Sequence, residues 1–90
     1  TIRGMIISTR SNTLNDVTGC EFRLWVNGVT TNVVCPIALA TTYFEDMVNT
    51  KVLIKTDKVQ IRWVNTSGGG TFIAPAITLI LEKFVVDYAI

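Results

Sequence analysis

The stretch Cys20-Glu21-Phe22-Arg23-Leu24-Trp25-Val26-Asn27-Gly28-Val29-Thr30-Thr31-Asn32-Val33-Val34-Cys35 decides the fold. Asn-Gly between two runs of β-forming residues is the strongest short-range hairpin signal, because a type I′ turn needs positive φ at both central residues. A two-residue turn at Asn27-Gly28 fixes the register. Val26 is expected opposite Val29, Leu24 opposite Thr31, Phe22 opposite Val33, and Cys20 opposite Cys35. Side chains alternate along a strand, so these residues share one face, and that face is mostly apolar. The other face carries Glu21, Arg23 and Trp25 against Val34, Asn32 and Thr30.

Outward from the hairpin, residues 2–9 read as a strand with Ile2, Met5, Ile6 and Ile7 spread over both faces. Residues 10–19 read as a polar loop closed by Gly19. Pro36 ends the second hairpin strand, since proline cannot continue a central ladder. In 37–50, Tyr43, Phe44, Met47 and Val48 sit near helical spacing, but Thr41, Thr42, Asn49 and Thr50 are poor helix formers. A loop with a short strand or one helical turn is expected there. Residues 51–55 and 58–64 read as strands about a Thr56-Asp57 turn. In the second, Val59, Ile61 and Trp63 share one face, and Gln60, Arg62 and Val64 the other. Residues 65–71 read as a flexible loop. Pro75 precedes a last strand, 76–86, apolar on both faces. Six or seven short strands with turn signals every 8–12 residues indicate an antiparallel sandwich or barrel. The fold class is all-β, in one domain spanning 1–90, with no internal repeat.

The chain is 49% hydrophobic and 17% charged, against about 25% charged in an average domain. A short chain buries a smaller share of its surface than a long one. The surplus points to an oligomer whose interfaces cover it, because exposed apolar patches mark contact surfaces; a dense all-β core is the alternative. The net charge is +1, with no block of like charge. That removes the footprint of a duplex-DNA binder or a polybasic membrane binder. No apolar run is long enough for a transmembrane helix. The start, Thr1-Ile2-Arg3, has neither an initiator Met nor a signal-peptide pattern, so a piece of a longer chain or a processed form is expected.

Cys20 and Cys35 permit a cross-strand bridge, since facing Cα atoms of a hydrogen-bonded pair lie about 5.5 Å apart. Cysteine is also a common buried thiol. The reading favours two reduced, buried thiols and keeps the bridge open.

There is no histidine, which removes Ser-His and Cys-His pairs and the common zinc sets. No GxSxG, Walker A or GxGxxG pattern occurs, and Gly68-Gly69-Gly70 reads as a hairpin tip or hinge. Glu45 and Asp46 are sequence neighbours that point apart on an extended chain, so they read as solvated loop residues and not as a glycosidase pair. Asn65-Thr66-Ser67 matches the glycosylation pattern by chance. No enzyme activity, cofactor or metal site is expected.

The best binding patch is Arg23, Trp25, Thr30 and Asn32, and Arg62, on the face of its strand opposite Trp63, is open to ligand. A Trp ring covers the apolar face of a sugar, and Arg and Asn bond its polar rim. The competing reading packs Trp25 under a loop or a partner subunit. Trp63, sharing its face with Val59 and Ile61, reads as core.

Phe22-Arg23-Leu24-Trp25-Val26-Asn27-Gly28-Val29-Thr30, continued by Lys58-Val59-Gln60-Ile61-Arg62-Trp63 and Ala76-Ile77-Thr78-Leu79, resembles the strand–turn–strand ribbon of small trimeric β-domains. Such domains end bacteriophage tail fibres and baseplate proteins, including the receptor-binding heads of lactococcal phages. The resemblance covers roughly residues 2–84. It implies a small antiparallel β-barrel or jelly-roll-like sandwich, a trimer with its apolar surplus at the threefold axis, and a place at the phage tail tip as the C-terminal head of a longer chain. It also implies recognition of a cell-wall saccharide of a bacterial host, with no reaction catalysed, no nucleic acid and no membrane insertion. Family pockets use histidine and aromatic–acidic clusters. Without histidine here, no family residue is carried over, and the patch Arg23, Trp25, Asn32 and Arg62 rests on strand register alone. Two readings compete: a capsid-decoration or fibre-assembly domain without a ligand, and a nucleic-acid-binding β-barrel. The near-neutral charge opposes the second.

Overall fold

The computed structural model describes residues 1–82. Its strands are β1 (Ile2–Ser8), β2 (Ser11–Asn12), β3 (Glu21–Val26), β4 (Val29–Pro36), β5 (Tyr43–Asp46), β6 (Val59–Val64), β7 (Phe72–Ile73) and β8 (Ala76–Leu81), with no helix among the described residues. They form three antiparallel sheets, ordered β5-β1-β8, β2-β7 and β4-β3-β6. None closes into a barrel, which corrects that half of the expected fold. The last expected strand, 76–86, is β8 as far as Leu81; residues 83–86 lie outside the described residues.

Asn27-Gly28 makes the expected turn. Both have positive φ, 53° and 77°, and Val26 pairs with Val29 and Trp25 with Thr30. Beyond that the register departs from a plain hairpin. Arg23 pairs with Val34, Phe22 with Cys35 and Glu21 with Pro36. Three residues, Thr31 to Val33, therefore span the single Leu24. The Thr31 hydroxyl donates to the Leu24 carbonyl at 2.8 Å and accepts from the Val33 N–H at 3.2 Å. Two extra residues preserve the in–out alternation that one would invert. So Phe22, Leu24, Val26, Val33 and Cys35 are all buried as expected, although most of their partners changed.

The expected Cys20–Cys35 opposition is overturned by the same shift. Cys20 lies opposite Ile37, whose N–H donates to the Cys20 carbonyl at 3.0 Å. Both cysteines are free and buried.

The two three-stranded sheets send their inner faces into one core. Ile2, Met5 and Ile7 come from β1, Phe22, Leu24 and Val26 from β3, Val33 and Cys35 from β4, and Phe44 from β5. Each large side chain buried there contributes about 1.5–3 kcal/mol. An aromatic cluster closes one end: Phe22 stacks on Trp63 at 4.5 Å, and Phe72 tilts against Phe22, Trp63 and Phe44. Trp63 is thus core, as its face predicts.

Segment 51–55 is not a strand. Its backbone joins a sheet through the Ile2–Lys51 bridge, Leu53 packs against the core, and the Asp57 carboxylate takes the Ile54 N–H at 2.9 Å, turning the chain instead of extending it. The two expected loops, 10–19 and 65–71, are zipped together. β2 pairs with β7, and beyond them Thr13 N–H donates to Thr71 O and Asn15 N–H to Gly69 O. Gly70 has φ 86°, and a Cβ there would stand 2.0 Å from the Thr13 carbonyl oxygen. Gly70 is therefore a close-packing residue and not a hinge.

Asp46 corrects the solvated reading of Glu45-Asp46. Glu45 is exposed, but Asp46 is buried on the inner side of β5. Its carboxylate accepts from the Val34, Val48 and Asn49 backbone N–H groups and from Asn49 Nδ2, all at 3.0 Å. Burial alone would raise its pKa; the donors from Asn49, Val34 and Val48 outweigh burial and hold it below the usual carboxylate value. The bond to Val34 ties β5 of one sheet to β4 of the other.

Candidate functional site

The site is the outer face of the β4-β3-β6 sheet. β3 and β6 pair so that Trp25 lies opposite Gln60 and Arg23 opposite Arg62. Alternation then puts Arg23, Trp25, Gln60 and Arg62 on one side, away from the Phe22–Trp63 stack. β6 thus brings Arg62 to the hairpin patch, a step that hairpin register alone does not supply.

The guanidinium carbon of Arg62 lies 3.7 Å from the centroid of the Trp25 ring, a cation–π contact. Its Nε donates to Gln60 Oε1 at 3.1 Å. Arg23 Nε donates to Glu21 Oε2 at 2.5 Å, and its NH1 to the Thr31 carbonyl at 2.8 Å. The hydrogen bond to Glu21 raises the Arg23 pKa further, so it stays a cation at every ordinary pH. Each arginine is braced by the residue two positions before it on the same strand face. That spacing, Glu21-x-Arg23 and Gln60-x-Arg62, is visible in the sequence, and Glu21 and Gln60 are the site residues that sequence reading missed.

Three of the four expected residues are brought together: Arg23, Trp25 and Arg62. Thr30 stays opposite Trp25. Asn32 does not face Arg23, because it falls in the bulge, where it is exposed. Trp25 is half-buried under the Arg62 guanidinium, not under a loop.

The remaining chemistry is sparse. Among the described residues no three Cys, Asp or Glu side chains come together in a way that could hold a metal ion. The Cys35 thiol is pushed up to about 11, mainly by burial, and its Sγ lies 3.4 Å from the Met5 carbonyl. A thiol so held is no nucleophile at neutral pH. What the outer face offers is two hydrogen-bonded guanidinium groups, one of them stacked over an indole, on a three-stranded sheet. That arrangement suits recognition of a planar or ring-shaped ligand rich in hydrogen-bond acceptors. Comparisons with protein-family models, with curated proteins and with solved structures give no match.

Proposed function

We propose that this domain is a non-enzymatic recognition module, and that its ligand is a cell-surface saccharide bound on the outer face of the β4-β3-β6 sheet. The reading keeps the resemblance to phage receptor-binding heads, with a homo-oligomeric head at the tail tip contacting a bacterial cell wall. The observation that carries it is the Trp25–Arg62 stack beside Arg23. The Arg62 guanidinium covers the indole face and offers its own flat face and outer N–H groups, and Arg23 adds a second donor group on the neighbouring strand. Weak single contacts of this kind gain strength when several copies engage one surface.

The test is binding of the oligomer to purified host cell-wall glycans. Trp25→Ala and Arg62→Ala are each expected to lower affinity about tenfold, equivalent to 1.4 kcal/mol, while Val64→Thr on the same face changes it little. Equal binding by wild type and Trp25→Ala would remove the outer face from the site.

The second reading, a capsid-decoration or fibre-assembly domain without a ligand, draws on Val48, Val52 and Ile54, which are strongly exposed along one irregular segment. It predicts assembly with no retention on cell walls, so a pull-down on host walls separates the two.

A further inference from the structure

Among the described residues the two three-stranded sheets have four edge strands, and three of them are blunted against pairing with another chain. β4 carries the Thr31–Val33 bulge and ends in Pro36. β5 has only four residues, two of them acidic. β6 carries Arg62 and Gln60. Bulges, proline, charge and short length are the devices that keep edges from sticking together. β8, Ala-Ile-Thr-Leu-Ile-Leu, has none of them within its span. Its inner neighbour is β1, and among the described residues nothing pairs with its other side. Ile77 and Leu81 on it are exposed, Leu81 at 66%.

The hydrogen-bonding phase of this edge follows from its end. Thr1 and Glu82 exchange both backbone bonds, Glu82 N–H to Thr1 O at 2.9 Å and Thr1 N to Glu82 O at 3.1 Å. Backbone groups alternate in direction along a strand. Ile80, Thr78 and Ala76 therefore also turn toward β1, and the N–H and C=O groups of Leu81, Leu79 and Ile77 point away from it.

We propose that β8 is the contact strand of a two-fold dimer, pairing antiparallel with β8 of a second copy so that Leu79 lies opposite Leu79. In this register Ile77 faces Leu81 of the second copy, and Thr78 faces Ile80. All three outward-pointing residues then exchange bonds with one another, two exposed apolar pairs are covered, and the halves join as one six-stranded sheet. Facing residues share a side, as antiparallel pairing requires. No charge lies within β8, so self-pairing opposes no like charges, and a net charge of +1 repels a second copy little. The contact is isologous, so it doubles whatever ring the domain otherwise forms.

Sedimentation of the full chain is expected to give an even number of copies: a dimer, or a hexamer where a threefold axis also operates. Leu81→Lys, at an exposed position, is expected to halve that mass with the circular dichroism unchanged. Leu79→Cys places two thiols in a facing pair and is expected to form a disulfide between copies at least tenfold faster than Thr78→Cys, whose residue faces Ile80. A monomer or a trimer of the wild type would overturn the proposal, as would a Leu81→Lys chain of unchanged mass or equal cross-linking at 78 and 79. Glycan binding is not read in any of these measurements, so their outcome leaves the outer-face site to its own test.

Discussion

Asn27 and Asp57 are joined side chain to side chain, with Asn27 Nδ2 donating to Asp57 Oδ1 at 2.8 Å. The other end of the same amide accepts the Lys58 N–H at 2.9 Å. One residue thus supplies the positive φ of the hairpin turn and clips that turn to the start of β6. Glycine would supply the φ alone, and aspartate would lack the donor. Asn27→Gly is expected to lower Tm by about 4–8 °C, the effect of losing about 1 kcal/mol in a domain of this size. Asn27→Asp is expected to be worse at pH 7 than at pH 4, because two carboxylates then face each other. Thermal melts at both pH values check this, and a pH-independent loss would remove the clip.

Asp46 links stability to acid. Its folded pKa lies below the ordinary value, so the unfolded chain takes up its proton first as pH falls. The stabilisation is complete above the unfolded value, near 4, and is lost as pH drops through the lower folded value. Asp16, bonded by Thr18, and Asp57, bonded by Ile54, are lowered as well. Asp46→Asn is expected to flatten the fall in stability below pH 4 without abolishing it, and Asp46→Ala to cost about 3 kcal/mol at pH 7. Urea titrations across pH 2–7 measure both.

Gly70 and Gly68 are two positions apart and differ sharply in tolerance. A Cβ at Gly70 would collide with the Thr13 carbonyl, whereas at Gly68 it would meet nothing within 4 Å. Gly70→Ala is expected to cost about 4 kcal/mol or more, and Gly68→Ala less than about 0.5 kcal/mol. Similar Tm values for the two variants would mean that segments 11–15 and 67–71 are not zipped.

The thiols give a simple check of the core. Cys35 is buried and its pKa is raised to about 11; Cys20 is buried beneath Thr66, whose N–H reaches its sulfur at 3.4 Å. Ellman's reagent at pH 8 is expected to find no reactive thiol in the folded protein and two in denaturant. None in denaturant would establish a bridge.

What the sequence disclosed was local. Asn27-Gly28 identified the turn, and alternation sorted Phe22, Leu24 and Val26 from Arg23 and Trp25. The docking of β6 on β3, which unites Arg62 with Trp25, was not legible, because pairing between distant strands leaves no periodic trace. β2 and β7 were missed because two residues carry no pattern. Segment 51–55 looked like a strand because Val52, Leu53 and Ile54 have high β-propensity, yet propensity needs a partner strand, and the Asp57 carboxylate claimed Ile54 instead. Asp46 could not be told from Glu45, since burial depends on which side of β5 faces Val34.

The swelling opposite Leu24 sets a rule for length variation in this chain. Removing both surplus residues, or adding two more, leaves Val33 and Cys35 facing inward. Removing one turns Val34 and Pro36 toward the interior and sends Val33 and Cys35 out to solvent. Tolerated insertions and deletions at this place should therefore come in pairs, and a frame of one should fail to fold.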